Sequence, residues 1–116
     1  MKIRIKGNSI RYRLSKTDVE RFIKTGYLEE IVDFGNQKLI YALKIHQELT
    51  VTASFEQNKI IVHLSQLMAT EWETTDKIGF SGVDNKLSLL IEKDFQCLDN
   101  TIEDQADNYP NPALVC

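Results

Sequence analysis

This 116-residue chain is poor in the features that most function classes depend on. Its two cysteines, Cys97 and Cys116, are too few for the disulfide framework of a small secreted scaffold. No apolar run approaches the roughly 18 residues needed to cross a bilayer. The basic N-terminal stretch leads into an alternating pattern and not into an apolar block, so neither a secretory leader nor a membrane contact is expected, and the cytoplasm is the expected compartment. A nucleophilic Cys97 would need a nearby base. Only His46 and His63 are available, at spacings that carry no information. No catalytic residue and no cofactor is therefore expected, and the chain reads as non-enzymatic. His63 alternates with Val62 in an apolar strand pattern, which suits a packed imidazole better than a metal ligand.

What the chain does have is an apolar content of 42%, enough for one core, and a net charge of −3 that is unevenly distributed. Lys2, Arg4, Lys6, Arg11, Arg13 and Lys16 give residues 1–16 a charge of +6 with no acid. Glu92, Asp94, Asp99, Glu103, Asp104 and Asp107 against Lys93 give residues 92–116 a charge of −5.

The main organising feature is a repeat. NSIRYRLS (8–15) returns as NKIIVHLS (58–65), Phe22 falls opposite Trp72, Leu28 opposite Ile78, and QKLIYAL (37–43) opposite NKLSLLI (85–91) after a two-residue deletion. KIRIK (2–6) and SIRYRL (9–14) alternate strictly around Gly7-Asn8, a pair suited to a two-residue hairpin turn. Ile3, Ile5, Ile10, Tyr12 and Leu14 then share one face and the five cations share the other. Ser15 is the candidate cap of a helix carrying Val19, Phe22 and Ile23, with Asp18 completing a capping box and Gly26 ending it. YLEEIVDF (27–34) and KLIYALKIH (38–46) form a second hairpin around Gly35-Asn36. The second copy runs LTVTASF (49–55), KIIVHL (59–64), a helix after Ser65, KIGFS (77–81) and KLSLLIEK (86–93), with a turn at Asp84-Asn85. The unbroken Ile60-Ile61-Val62 suggests a strand covered on both faces, the outer cover being a second subunit in a homodimer.

In this form the unit resembles the swapped-hairpin barrel of the AbrB and MazE families. Lys6-Gly7-Asn8-Ser9 and Arg13-Leu14 carry the resemblance in the first copy, and TTDKIGFSGVDNKLSLLIEK (74–93) carries it in the second. Departures are Ser15 and Ser65, which stand where the family helix opens on proline, and the lack of an acid before the first copy's third strand. The resemblance implies a mostly β, α+β fold: a pseudo-two-fold barrel of two ββ-helix-ββ repeats (1–46 and 49–93), with about eight short strands and two short helices, within one domain over 1–95. KIRIKGNSIRYRL and EKDFQCL (92–98) also resemble a group of small bacterial proteins that bring no function with them.

By the AbrB and MazE resemblance, DNA contacts would fall on Lys6, Asn8, Ser9, Arg11 and Arg13, with Lys2 and Arg4 adding phosphate contacts. The alternative is a protein-interaction scaffold in which the basic face meets an acidic partner and the acidic tail, 96–116, acts as adapter through Asp99, Glu103, Asp104, Asp107 and Tyr109, as acidic tails of MazE-like antitoxins engage a basic toxin. A divalent cation on the tail acids is a weaker alternative, because their spacing does not match an EF-hand.

Overall fold

Turn chemistry sets the hairpins. A computed structural model describes residues 1–95 and Tyr109. Gly7 takes a φ of +52°, so β1 (Lys2–Lys6) turns at once into β2 (Ser9–Leu14). Ser15 then caps α1 (Lys16–Thr25). Its hydroxyl accepts from the Asp18 N–H, and the Asp18 carboxylate accepts from the Ser15 N–H, the reciprocal capping box. Gly26, left-handed at φ +75°, ends the helix and leads into β3 (Tyr27–Asp33) and β4 (Lys38–His46).

The second copy repeats the plan with different turn residues. Gln57 and Asn58 both adopt positive φ between β5 (Thr52–Glu56) and β6 (Lys59–Ser65). Ser65 caps α2 (Gln66–Thr74), this time without a returning acid, since Met68 stands where Asp18 does. β7 (Gly79–Asp84) and β8 (Leu87–Lys93) complete the second copy, and the turn between them sits on Asn85-Lys86, with Asp84 still in the strand.

The eight strands form two four-stranded sheets, ordered β1-β2-β8-β7 and β3-β4-β6-β5. Each sheet takes one hairpin from each copy, and its two inner strands, β2 with β8 or β4 with β6, run parallel. Replacing every strand by its counterpart in the other copy converts one order into the other. The class is α+β and mostly β, as expected from the sequence.

The ladders do not close into the expected barrel: among the described residues none joins the two sheets. Where the sheet edges meet, other groups take the place of strand pairing. The Ala53 N–H on β5 donates to the Asp84 carboxylate of β7 at 3.0 Å. At the corresponding seam the Met1 ammonium lies 2.9 Å from Asp18 and 2.7 Å from Glu30 of β3, and the Tyr41 hydroxyl donates to the Met1 carbonyl. A backbone donor bound by a side chain has no need of a neighbouring strand.

The core lies between the sheets and beneath the helices. Tyr12, Leu14, Phe22, Leu43, Val62, Leu64, Trp72 and Ile91 are its largest fully buried side chains, each worth about 1.5–3 kcal/mol of transfer free energy. The ladders also correct one alignment. Leu28 pairs with Leu43 and Phe80 with Ile91, while Leu43 and Ile91 flank the equivalent residues Val62 and Tyr12. Leu28 therefore corresponds to Phe80, not to Ile78. The second copy has a longer link from helix to strand and a shorter final turn, and Ile78 instead offers its carbonyl to the Trp72 indole N–H at 2.9 Å. No described helix is long and apolar enough to cross a membrane.

Candidate functional site

The register of the first hairpin sets Lys2 opposite Arg13, Arg4 opposite Arg11 and Lys6 opposite Ser9. Tyr12 and Leu14 point into the core, so the alternating cations share the outer face of the first sheet. β8 extends that face beside β2, with Ser88, Leu90 and Glu92 next to Ser9, Arg11 and Arg13. Val83 of β7 adds an exposed apolar side chain.

Like charges directly opposite one another destabilise a sheet, and here two such pairs lie side by side. Among the described residues compensation is confined to one end. Glu92 Oε1 accepts from Arg13 Nε at 2.9 Å and lies 3.6 Å from Arg11 Nε, while Lys2 Nζ lies 3.1 Å from the Asp94 carboxylate. Toward the turns, Arg4 and Lys6 make no ion pair among the described residues. Asn8 and Ser9 serve the turn itself. The Asn8 amide donates to the Lys86 carbonyl at 2.6 Å, and the Ser9 hydroxyl donates to the Lys6 carbonyl at 2.7 Å.

The Asn8 bond ties the Gly7-Asn8 turn to the Asn85-Lys86 turn and brings Lys86 to the same end of the sheet as Lys6. Nothing in the local sequence pattern places Lys86, Glu92 or Asp94 in the site. Only the parallel pairing of β2 with β8, between residues 79 apart in sequence, brings them there.

Of the expected tail residues, Asp99, Glu103, Asp104 and Asp107 lie outside the described residues, as does Cys97. Tyr109 is described, and it is anchored. It bridges to Phe95 in parallel fashion, its N–H donates to the Asp94 carbonyl at 2.8 Å, and its ring receives Lys93 Nζ at 5.0 Å and Lys16 Nζ at 5.9 Å. Lys93 is itself buried. It donates to the Thr75 carbonyl, and desolvation holds its ammonium below the usual lysine range. Among the described residues no group of three His, Cys, Asp or Glu side chains is arranged to hold a metal ion.

The outer face of the second sheet carries the equivalent positions. The rings of His46 and His63 stack at 5.2 Å and 26° beside Lys44, and His63 Nδ1 is buried without a hydrogen-bond partner among the described residues. On the same face Ala42 is fully buried because longer side chains reach over it. Glu29 accepts from the Tyr27 hydroxyl at 2.6 Å and lies 3.7 Å from Lys59 Nζ, two strands away.

Fold and site together define a two-sheet α+β protein with one polybasic sheet face. The chain matches, over residues 1–113, a family of unknown function, DUF7009, and belongs to that family. No curated protein and no solved structure matches it.

Proposed function

We propose that this protein is a non-enzymatic intracellular binding module, a DNA-associated or antitoxin-like regulator, that meets nucleic acid with the outer face of its first sheet. The observation that carries this reading is the pairing of Lys2 with Arg13 and of Arg4 with Arg11 on two adjacent strands, with Lys6 continuing the row. This arrangement costs stability and is incompletely neutralised among the described residues, where Arg4 and Lys6 make no ion pair, whereas a run of phosphates would neutralise it from outside. The reciprocal exchange of hairpins between the two sheets supports descent from a swapped-hairpin, AbrB- or MazE-like pseudo-dimer in which both halves reside in one chain. Such a pseudo-dimer carries a single basic face, so a palindromic site would require a homodimer, and light scattering of the free and DNA-bound protein tests that requirement.

The test of the main reading is fluorescence anisotropy of a labelled mixed-sequence duplex with wild type and Arg11→Ala/Arg13→Ala across a salt series. Binding should weaken with salt, and the double substitution should make the dependence of log K on log salt shallower by about 1.8. Absence of binding at low salt would sink the reading. The second reading, a protein-interaction scaffold, is favoured by the anchoring of Tyr109 against Asp94 and Phe95, which fixes the chain on both sides of the acidic stretch 96–108. Loss of a protein partner on deletion of 96–116, with DNA binding absent, would favour it.

A further inference from the structure

We infer that Arg11 and Arg13 form a seat for one phosphate group, and that Glu92 occupies this seat in the free protein as an internal competitor. The inference rests on the nucleic-acid reading of the same face and adds how that face is regulated. Both guanidinium groups turn their Nε atoms toward the same atom, Oε1 of Glu92, at 3.6 and 2.9 Å. Two cations converging on one carboxylate oxygen retain a net charge of +1. A phosphate group offers more acceptor oxygens than a carboxylate and suits the guanidinium fork at least as well.

The seat is open to exchange. The Arg11 and Arg13 side chains are 34% and 44% exposed, so an incoming anion reaches them without unfolding anything, and Glu92 is the more covered partner at 20%. Glu92 is also held in position from behind. Gly79 is its ladder partner on β7, and a Cβ there would lie only 2.9 Å from the Glu92 Cβ, so β7 packs against the Glu92 backbone at a point where no side chain fits. Lys2 repeats the arrangement at the edge of the same face, with Asp94 as its anion. Two internal carboxylates thus stand where a polyanion would place two phosphates, and any ligand must displace them. This competition filters out weak single-charge anions and leaves the face responsive to ligands that present several phosphates in a row.

The experiment compares wild type, Glu92→Gln and, as a second variant, Glu92→Ala, all with verified melting transitions, against two probes. With the labelled duplex at 0.1 M salt, both variants should bind about 8-fold more tightly than wild type and show a salt slope steeper by about 0.9, the release of one further counterion. With inorganic phosphate, the Arg11 and Arg13 Nε–Hε resonances should shift in the variants at concentrations that leave wild type unchanged. Wild-type affinity and slope in both variants, with duplex binding still lost in Arg11→Ala/Arg13→Ala, would overturn the competitor role while leaving the nucleic-acid reading intact. Phosphate shifts without duplex binding by any form would support the seat and discard nucleic acid as its source of phosphate. Resonances unmoved by phosphate in the variants, with no duplex binding, would overturn both.

Discussion

The repeat makes the outer faces of the two sheets equivalent position by position, and they have diverged almost completely. Lys2 opposite Arg13 becomes Thr52 opposite His63, Arg4 opposite Arg11 becomes Ser54 opposite Ile61, and Lys6 opposite Ser9 becomes Glu56 opposite Lys59. The core positions stayed alike: Leu14 and Leu64 on the inner faces are both fully buried, as are Tyr12 and the helical Phe22, while Val62 and the helical Trp72 are 1% and 0% exposed. The second sheet follows the ordinary rule of cross-strand pairing, with opposite charges facing and small polar residues beside apolar ones. The first sheet breaks the rule twice in adjacent pairs. A local rule broken without a structural return marks a surface shaped by something other than folding.

The largest effects should come from the half the two copies share. Trp72→Ala and Phe22→Ala should each cost about 3–5 kcal/mol, with Trp72 the more damaging because its indole N–H also binds the Ile78 carbonyl. Urea unfolding should remain a single transition in both variants, since every sheet contains hairpins from both copies. Two separated transitions would show that the copies fold independently and would undercut the comparison.

Next in size is an exchange of faces. Arg11→Ile/Arg13→His writes the second sheet's β6 residues onto β2. Duplex affinity at 0.1 M salt should fall about 60-fold, the loss of two counterion releases. Stability should hold or rise, because relieving each like-charge pair is worth roughly 0.2–1 kcal/mol. Anisotropy and urea melts measured on the same preparation check both parts, and a variant that melts early but binds normally would make the cations structural. The helix caps should give a smaller contrast. Ser15→Ala should cost about 1.5 kcal/mol and Ser65→Ala about 1 kcal/mol, because only Ser15 has a reciprocal partner in Asp18. Equal losses would show that the box adds nothing.

These contrasts also indicate how far the sequence could be read. Elements set by local chemistry were legible: β1, β2 and β4 begin and end where alternation and the Gly7 turn predict, and both helices start after their capping serines. The placement of β7 was not, because α2 ends at Thr74 and its C-cap, Thr75, has extended backbone, with no left-handed glycine to mark the boundary, and the link that follows has no periodicity. Convergence of the five cations followed from alternation alone. Their partial neutralisation did not, because Glu92 reaches Arg13 through a parallel ladder that no local pattern announces. The expected barrel closure failed at seams where Asp84 and the Met1 ammonium, not strand partners, bridge the edges. Ile61 bears on the expected second cover: its side chain lies on the outer face of the second sheet, only partly buried, among Ala42, Ser54 and its neighbours.

The smallest effect should come from the position where the faces differ most in chemistry, Arg13 against His63. Arginine keeps its charge throughout the accessible pH range, whereas His63 titrates within it. Burial is the main reason its imidazolium is disfavoured, the neighbouring His46 and Lys44 add repulsion, and Glu48 and Asp84 oppose the shift more weakly, while Thr52, its β5 neighbour, carries no charge. The folded-state pKa therefore lies below the ordinary 6.5, and the unfolded chain binds the proton more readily. The resulting stability is fully present above pH 6.5 and is lost as the pH falls through the folded value. Melting temperatures recorded from pH 8 to pH 5 should decline more steeply for wild type than for His63→Gln, with carboxylate titration common to both cancelling in the difference. His46→Gln should give an intermediate slope, since it removes the stacked ring's repulsion but leaves His63 buried. Parallel profiles for wild type and His63→Gln would mean that the imidazole is accommodated in either charge state, and that the second sheet's outer face is as insensitive to pH as the arginines of the first.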